Sequence, residues 1–297
     1  MVNHNLWSTE VEKEFFEKTL RLVSPGDLFY LSDDGSYYAY WPKAYQGEKA
    51  TLQSRNSYIG KFTEEFIKNL FSDYARSLGY FAVRDVICDQ IGLTRSSPAD
   101  VAFCKTDLTI QEPENIIVLF EVKMSIVWNW KYDGDEVICI GNCSTHQGTP
   151  SLLRSDSMLK AIGKAINIRI SDQKAYNIPI IIIGNTPITP HYYEKVDNLK
   201  SAGIIQGFWS VNPNLTESLQ NPLIRTDNNG FQTIQSYTGL LNELSKILDQ
   251  KLQFFSSMMS RNDLGKIIKI ACQEKEETKI AEKFLHLIGI NYDTNEE

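Results

Sequence analysis

The chain has 297 residues, 42% hydrophobic and 23% charged, the make-up of a globular protein with a sizeable core, which excludes disorder, collagen and a disulfide-built miniprotein. Lys and Arg number 30 against 37 Asp and Glu, a net charge of −7 that argues against a wholesale polyanion binder. The charge is uneven: residues 1–35 and 274–297 each carry seven acids and three bases, whereas 141–170 set Arg154, Lys160, Lys164 and Arg169 against Asp156 alone, a locally basic segment that suits a phosphate groove.

In chain order, residues 6–24 read as an acidic amphipathic helix closed by Ser24-Pro25-Gly26. Residues 28–45 alternate aromatic and polar side chains around Asp33-Asp34-Gly35, a hairpin signal. From Tyr58 to about Ser77 apolar residues recur at helical spacing, and Gly79 ends the run. Three apolar strands follow, Tyr80–Cys88, Asp100–Cys104 and Ile116–Lys123. Asp133-Gly134 joins Ser125–Tyr132 to Glu136–Ile140 in a second hairpin projecting from the sheet. A helix at 152–171 places Leu159, Ile162, Ile166 and Ile170 on one side and Lys160, Lys164, Asn167 and Ser171 on the other. Ile178–Gly184 carries five isoleucines and needs cover on both faces, so it describes a central strand. A helix at 189–202, a strand at 203–211, a polar stretch at 212–235 and helical patterns at 237–257, 261–273 and 275–288 complete the chain. The sum is an α/β fold, a mixed central sheet flanked by helices, with a unit at 1–57, a core at 58–211 and a helical region at 212–297 in one compact body.

Five cysteines, an odd number in mostly apolar contexts, read as reduced thiols, and Cys139 and Cys143 lack the second ligand pair that structural zinc requires. The first residues lack an apolar signal core, and no window approaches the ~18 apolar residues of a membrane span. The expectation is a cytoplasmic, prokaryotic protein with no membrane partner.

Chemistry concentrates in Ile116-Ile117-Val118-Leu119-Phe120-Glu121-Val122-Lys123. A run this apolar should be buried, yet Glu121 and Lys123, two residues apart, project from the same face at its end. Burying them unpaired would cost roughly 3–5 kcal/mol, so they either pair for structure or meet a metal and a substrate. Asp100 opens the preceding strand, where its carboxylate can lie beside that of Glu121, and two such groups repel unless a cation lies between them. Mg²⁺ accepts oxygen ligands while keeping waters, one of which it can turn into a nucleophile, and Lys123 can orient that water or steady developing charge.

Pro98-Ala99-Asp100, a gap of twenty residues and then Glu121-Val122-Lys123 after an apolar strand resemble the PD-(D/E)XK nuclease superfamily, with Ala99 inserted in the first motif. The order helix, three strands, helix, strand over 58–184 resembles the αβββαβ core of that family, and Gly60-Lys61-Phe62-Thr63-Glu64 resembles its Gly-x-x-x-Glu, with Glu65 as a neighbouring candidate. The resemblance implies catalytic Asp100, Glu121, Lys123 and Glu64, and Mg²⁺ held by Asp100, Glu121 and Val122. It further implies Mn²⁺ as a substitute, Ca²⁺ binding without cleavage, and a homodimer hydrolysing double-stranded DNA at a short sequence in the manner of a type II restriction endonuclease.

Specificity should come from elements added to the core. Asn142, Ser144, Thr145, His146, Gln147, Arg154, Ser155 and Asp156 offer groups able to read base edges, and Lys160 and Lys164 suit phosphates. His146 and His191 are further candidate bases, with no partner visible in sequence. A repair or structure-specific nuclease and an inactive DNA-binding relative stay open. A glycosidase would use Asp100 and Glu121 as acid and base but would leave Lys123 unexplained.

Overall fold

The computed structural model describes residues 5–33, 35–47, 52–215, 223–250, 252–255 and 259–288. Asp34 of the first hairpin and part of the expected polar stretch at 212–235 fall outside them.

The first helix, α1 (Thr9–Leu20), starts where the Ser8 hydroxyl accepts from Val11 N, with Glu10 and Glu12 in its first turn. It is followed by the two-residue strands β1 (Tyr30–Leu31) and β2 (Tyr37–Tyr38), and then by α2 (Gln53–Ser77), which starts five residues before the expected Tyr58. Ile59, Ile67, Leu70, Phe71 and Ala75 form the buried stripe of α2, and Gly79 takes the left-handed conformation just beyond its end.

Next come β3 (Phe81–Val86), β4 (Ala99–Cys104) and β5 (Ile116–Val122), then the hairpin β6 (Asn129–Tyr132) and β7 (Val137–Gly141). They are followed by α3 (Ser155–Ser171), β8 (Ile180–Gly184), α4 (Tyr193–Ser201), β9 (Gly207–Ser210), β10 (Phe231–Thr233) and α5 (Tyr237–Asp249). A separate compact unit, Gln253–Glu297, contains α6 (Arg261–Ala271) and α7 (Glu277–Leu287). The chain divides into compact units after Leu252.

The main sheet has six strands in the order β10-β9-β8-β5-β4-β3. β3, β4 and β5 run antiparallel, and β8, β9 and β10 continue parallel to β5, so the sheet is mixed as expected. Each face carries its own apolar cluster. One gathers Ile67 and Phe71 of α2 with Phe103, Phe120, Ile181, Ile183 and residues of α1 and α5. The other gathers Met158, Ala161, Ala165 and Ile168 of α3 with Ala102, Leu119, Ile180 and Ile182. Alternate isoleucines of β8 thus serve opposite faces, the two-sided cover that its composition requires.

The hairpins do more than project from the core. β2 pairs with β6, Tyr37 opposite Tyr132, so both hairpins merge into a second antiparallel sheet, β1-β2-β6-β7. β10 arises in the expected polar stretch, where three residues beside an Asn-Asn-Gly turn are too short for alternation to register.

The faces of α3 follow expectation only in part: Lys160, Asn167 and Ser171 are exposed, but of the expected apolar side Ile162 alone packs against the sheet cluster. Leu159, Ile166 and Ile170 are exposed, and Met158, Ala161, Ala165 and Ile168 face the sheet. Small alanines let the helix backbone approach the strands closely, so shape decided the face over hydrophobic bulk. Lys164 consequently turns inward with the alanine side.

Candidate active site

Pairing of β4 with β5 matches Val101 to Phe120 and Ala102 to Leu119, and one step further along this register Asp100 faces Glu121. Strand alternation puts Glu121 on the same face as Leu119, toward α3, where Lys164 arrives from the helix. Lys123 Nζ donates to Glu121 Oε1 at 2.5 Å and Asp100 Oδ2 at 3.5 Å. Lys164 Nζ lies 2.6 Å from Glu121 Oε2 and 3.5 Å from Asp100 Oδ1. Two carboxylates and two ammoniums therefore alternate in a closed ring, each carboxylate giving one oxygen to each lysine. These side chains are only 10–20% exposed, so the pairing answers a desolvation cost that neither sign could bear alone.

Backbone groups complete the arrangement. Asp100 Oδ2 accepts from Val122 N at 2.6 Å, and Lys123 Nζ reaches the Val122 carbonyl at 3.2 Å. Three oxygens, Asp100 Oδ2, Glu121 Oε1 and Val122 O, thus surround one cationic nitrogen. Lys164 Nζ also donates to Pro98 O at 2.6 Å. Burial and the neighbouring Asp100 raise the Glu121 pKa against the pull of both lysines. Burial opposes the charge of Lys123, yet Glu121 and Asp100 outweigh it and raise its pKa.

A third acid stands nearby. Burial, then the charge of Asp100, push the Glu64 pKa up to about 7, while Arg84, 3.5 Å away, holds it down. Glu65 turns to Lys68 and Arg84, each at 3.1 Å, so Glu64 is the one of the two that senses the carboxylate pair. Arg84 also meets Asp85 at 3.2 Å, and its buried Nε has no hydrogen-bond partner among the described residues. Asp85 has φ +53°, left-handed backbone in a non-glycine residue, at the position of β3 alongside Asp100.

Behind Lys123 the strand end is tied down. Ser151, also left-handed at φ +50°, donates from Oγ to Lys123 O at 2.5 Å and accepts from Asn185 N at 3.1 Å. Its own N–H donates to Ser125 Oγ at 2.8 Å, and Asn185 both accepts from Ser125 N and donates to Ser125 O. Periodicity gives no hint of Ser151 or Asn185, or of Arg84 and Asp85, because their roles come from loops and strands that meet only in the fold.

The expected DNA-reading residues spread widely. Ser144, Thr145, Arg154, Ser155, Asp156 and Lys160 are exposed, and Asn142 is half-buried. Asn142 Oδ1 accepts from Ser144 N, Thr145 Oγ1 donates to Asn142 O, and Arg154 grips Asp156 through Nε and Nη2. His146 is buried, stacked on Tyr40 at 4.1 Å, with Nε2 beside Val127 O and Nδ1 accepting from Gly148 N. Gln147 Nε2 donates to the carbonyls of Pro42 and Tyr45. His146 and Gln147 thus use their polar groups inside the fold. Lys164 joins the carboxylate ring in place of an outward phosphate contact, and His191 lies exposed beside Lys195.

A scan against protein-family models finds no match, and neither do searches of curated proteins and of solved structures. Among the described residues, no three His, Cys, Asp or Glu side chains group as a metal cage, and no helix is long and apolar enough to cross a membrane. All five cysteines are free thiols. The donor set that fits a hard divalent ion is the trio around Lys123 Nζ, two carboxylate oxygens and a carbonyl.

Proposed function

We propose that this chain is a Mg²⁺-dependent endonuclease hydrolysing phosphodiester bonds of double-stranded DNA at a short specific sequence, acting as a homodimer like a type II restriction endonuclease. The observation that carries the reading is the convergence of Asp100 Oδ2, Glu121 Oε1 and Val122 O within 3.5 Å of one cationic point. Supporting it is the order α2, β3, β4, β5, α3, β8, with the first three strands antiparallel and β8 parallel to β5, which resembles the PD-(D/E)XK core.

Asp100, Glu121 and the Val122 carbonyl would hold the ion, which supplies an activated water and charge stabilisation at the phosphate. With the ion bound, Lys123 would stand beside it, where its ammonium would orient the water or steady the charge of the transition state. Glu64, with its raised pKa, accepts a proton near neutral pH. Mn²⁺ substitutes for Mg²⁺, and Ca²⁺ binds without supporting cleavage. Lys160 and Arg154 are the basic groups of the 141–170 segment that stand exposed at the start of α3, both beside Asp156, from which a phosphate would draw them.

The test is incubation of the whole chain with unmethylated plasmid DNA, with and without Mg²⁺. Discrete fragments that need Mg²⁺ are expected, and they should vanish in Asp100→Ala and Glu121→Ala while DNA binding in Ca²⁺ survives. Cutting at the wild-type rate by either variant, or no Mg²⁺-dependent cutting of any duplex, would leave the ring as a structural ion-pair cluster.

A further inference from the structure

We infer that Lys164 is the resident second cation of the carboxylate pair, so that the site admits one divalent ion and not two. The inference rests on the proposed metal-dependent reading and adds the ion count and the residue that sets it. Lys123 and Lys164 each meet two carboxylate oxygens and a backbone carbonyl, and differ in the element that carries them. Lys123 Nζ sits among three oxygens at the end of a strand, on the side where a carbonyl completes the set. Lys164 Nζ is braced from a helix by Pro98 O at 2.6 Å and by the outer oxygens of both carboxylates, Glu121 Oε2 at 2.6 Å and Asp100 Oδ1 at 3.5 Å.

An ion entering at the Lys123 pole therefore takes Asp100 Oδ2, Glu121 Oε1 and Val122 O. The two remaining carboxylate oxygens stay with Lys164. A second divalent ion would need those same two oxygens, which Lys164 holds. A fixed ammonium does the second ion's electrostatic work without water ligands or an entry step. The helix holds it in place: Ala161 and Ala165 on the same side of α3 are buried against the sheet, which fixes the backbone from which Lys164 reaches.

The expectation differs from that of a helix-anchoring lysine. Removing an anchor loosens the site and weakens metal binding. Removing a like charge a few ångströms away strengthens it, by at least about tenfold at a partly buried site. Mn²⁺ titration of the full chain, with free ion followed by electron paramagnetic resonance, reads both affinity and stoichiometry without requiring activity.

Wild type should bind one Mn²⁺, and Asp100→Ala none. Lys164→Met, close in volume but uncharged, should bind the first ion at least about tenfold tighter and take up a second. Lys164→Arg should keep one ion at near wild-type affinity. Two ions in wild type, or a single ion bound no more tightly by a cooperatively melting Lys164→Met, overturns the inference and leaves the metal-dependent reading intact. If Lys164→Met does not fold, the wild-type count and Lys164→Gln decide in the same way. Binding by no form of the protein overturns the metal reading, and the inference falls with it.

Discussion

Glu12 shows how a buried acid persists without a cation beside it. Its oxygens accept from the backbone N–H groups of Val127 and Trp128 and from the indole N–H groups of Trp7 and Trp130, at 2.8–3.1 Å. Complete burial pushes its pKa up to about 8, against the pull of those donors. A raised folded value means that the stability it contributes is full below the unfolded value of 4.5 and is lost as pH rises through 8. Glu64, raised to about 7, acts in the same direction. Melting temperature should therefore fall from pH 5 to pH 8. Glu12→Gln should flatten this slope, since the amide does not titrate. An unchanged slope in thermal melts of Glu12→Gln across pH 4–9 would show that Glu12 does not titrate in this range.

The helix α3 tests how elements choose their faces. Met158, facing the sheet, should cost about 2–5 kcal/mol when truncated to Ala, whereas Leu159→Gln and Ile170→Gln should stay within about 0.5 kcal/mol in urea unfolding. A large, concentration-dependent loss in Leu159→Gln would mean that another copy covers that face. Two apolar sets on α3 share helical spacing, 158, 161, 165 and 168 against 159, 162, 166 and 170, so periodicity could not separate them and bulk favoured the wrong one. The strand β5 was legible for the opposite reason: a period of two admits one arrangement, and Glu121 and Lys123 had to share a face. Asp100 followed from its place at the start of the next strand. Lys164 did not, because its position depends on which side of α3 meets the sheet. The merged sheet β1-β2-β6-β7 was illegible too, since Tyr37 and Tyr132 meet across ninety-five residues of chain and no local pattern encodes that pairing.

Both apolar clusters and every residue of the candidate site lie before Leu252, and the division of the chain falls after it. The acidic end at 274–297 belongs to the second unit, in which α6 and α7 follow one another and Phe255 meets Phe284 edge-on at 5.9 Å. Residues 253–297 hold eight acids and six bases, so removing them changes the net charge by only two and leaves the remainder acidic. Any attraction to a polyanion must therefore come from local groups such as Lys160 and Arg154, not from the net charge of either unit. A chain ending at Leu252 should keep one cooperative melt within a few degrees of the full protein, because no side chain of either cluster is removed. If the proposed activity is correct, it should also retain Mg²⁺-dependent cutting at a rate within about tenfold. Differential scanning calorimetry and a plasmid assay on the two lengths check this together. A folded but inactive 1–252 chain would assign the second unit a part in substrate binding or dimerisation, and an unfolded one would show that the two clusters are not sufficient for the fold.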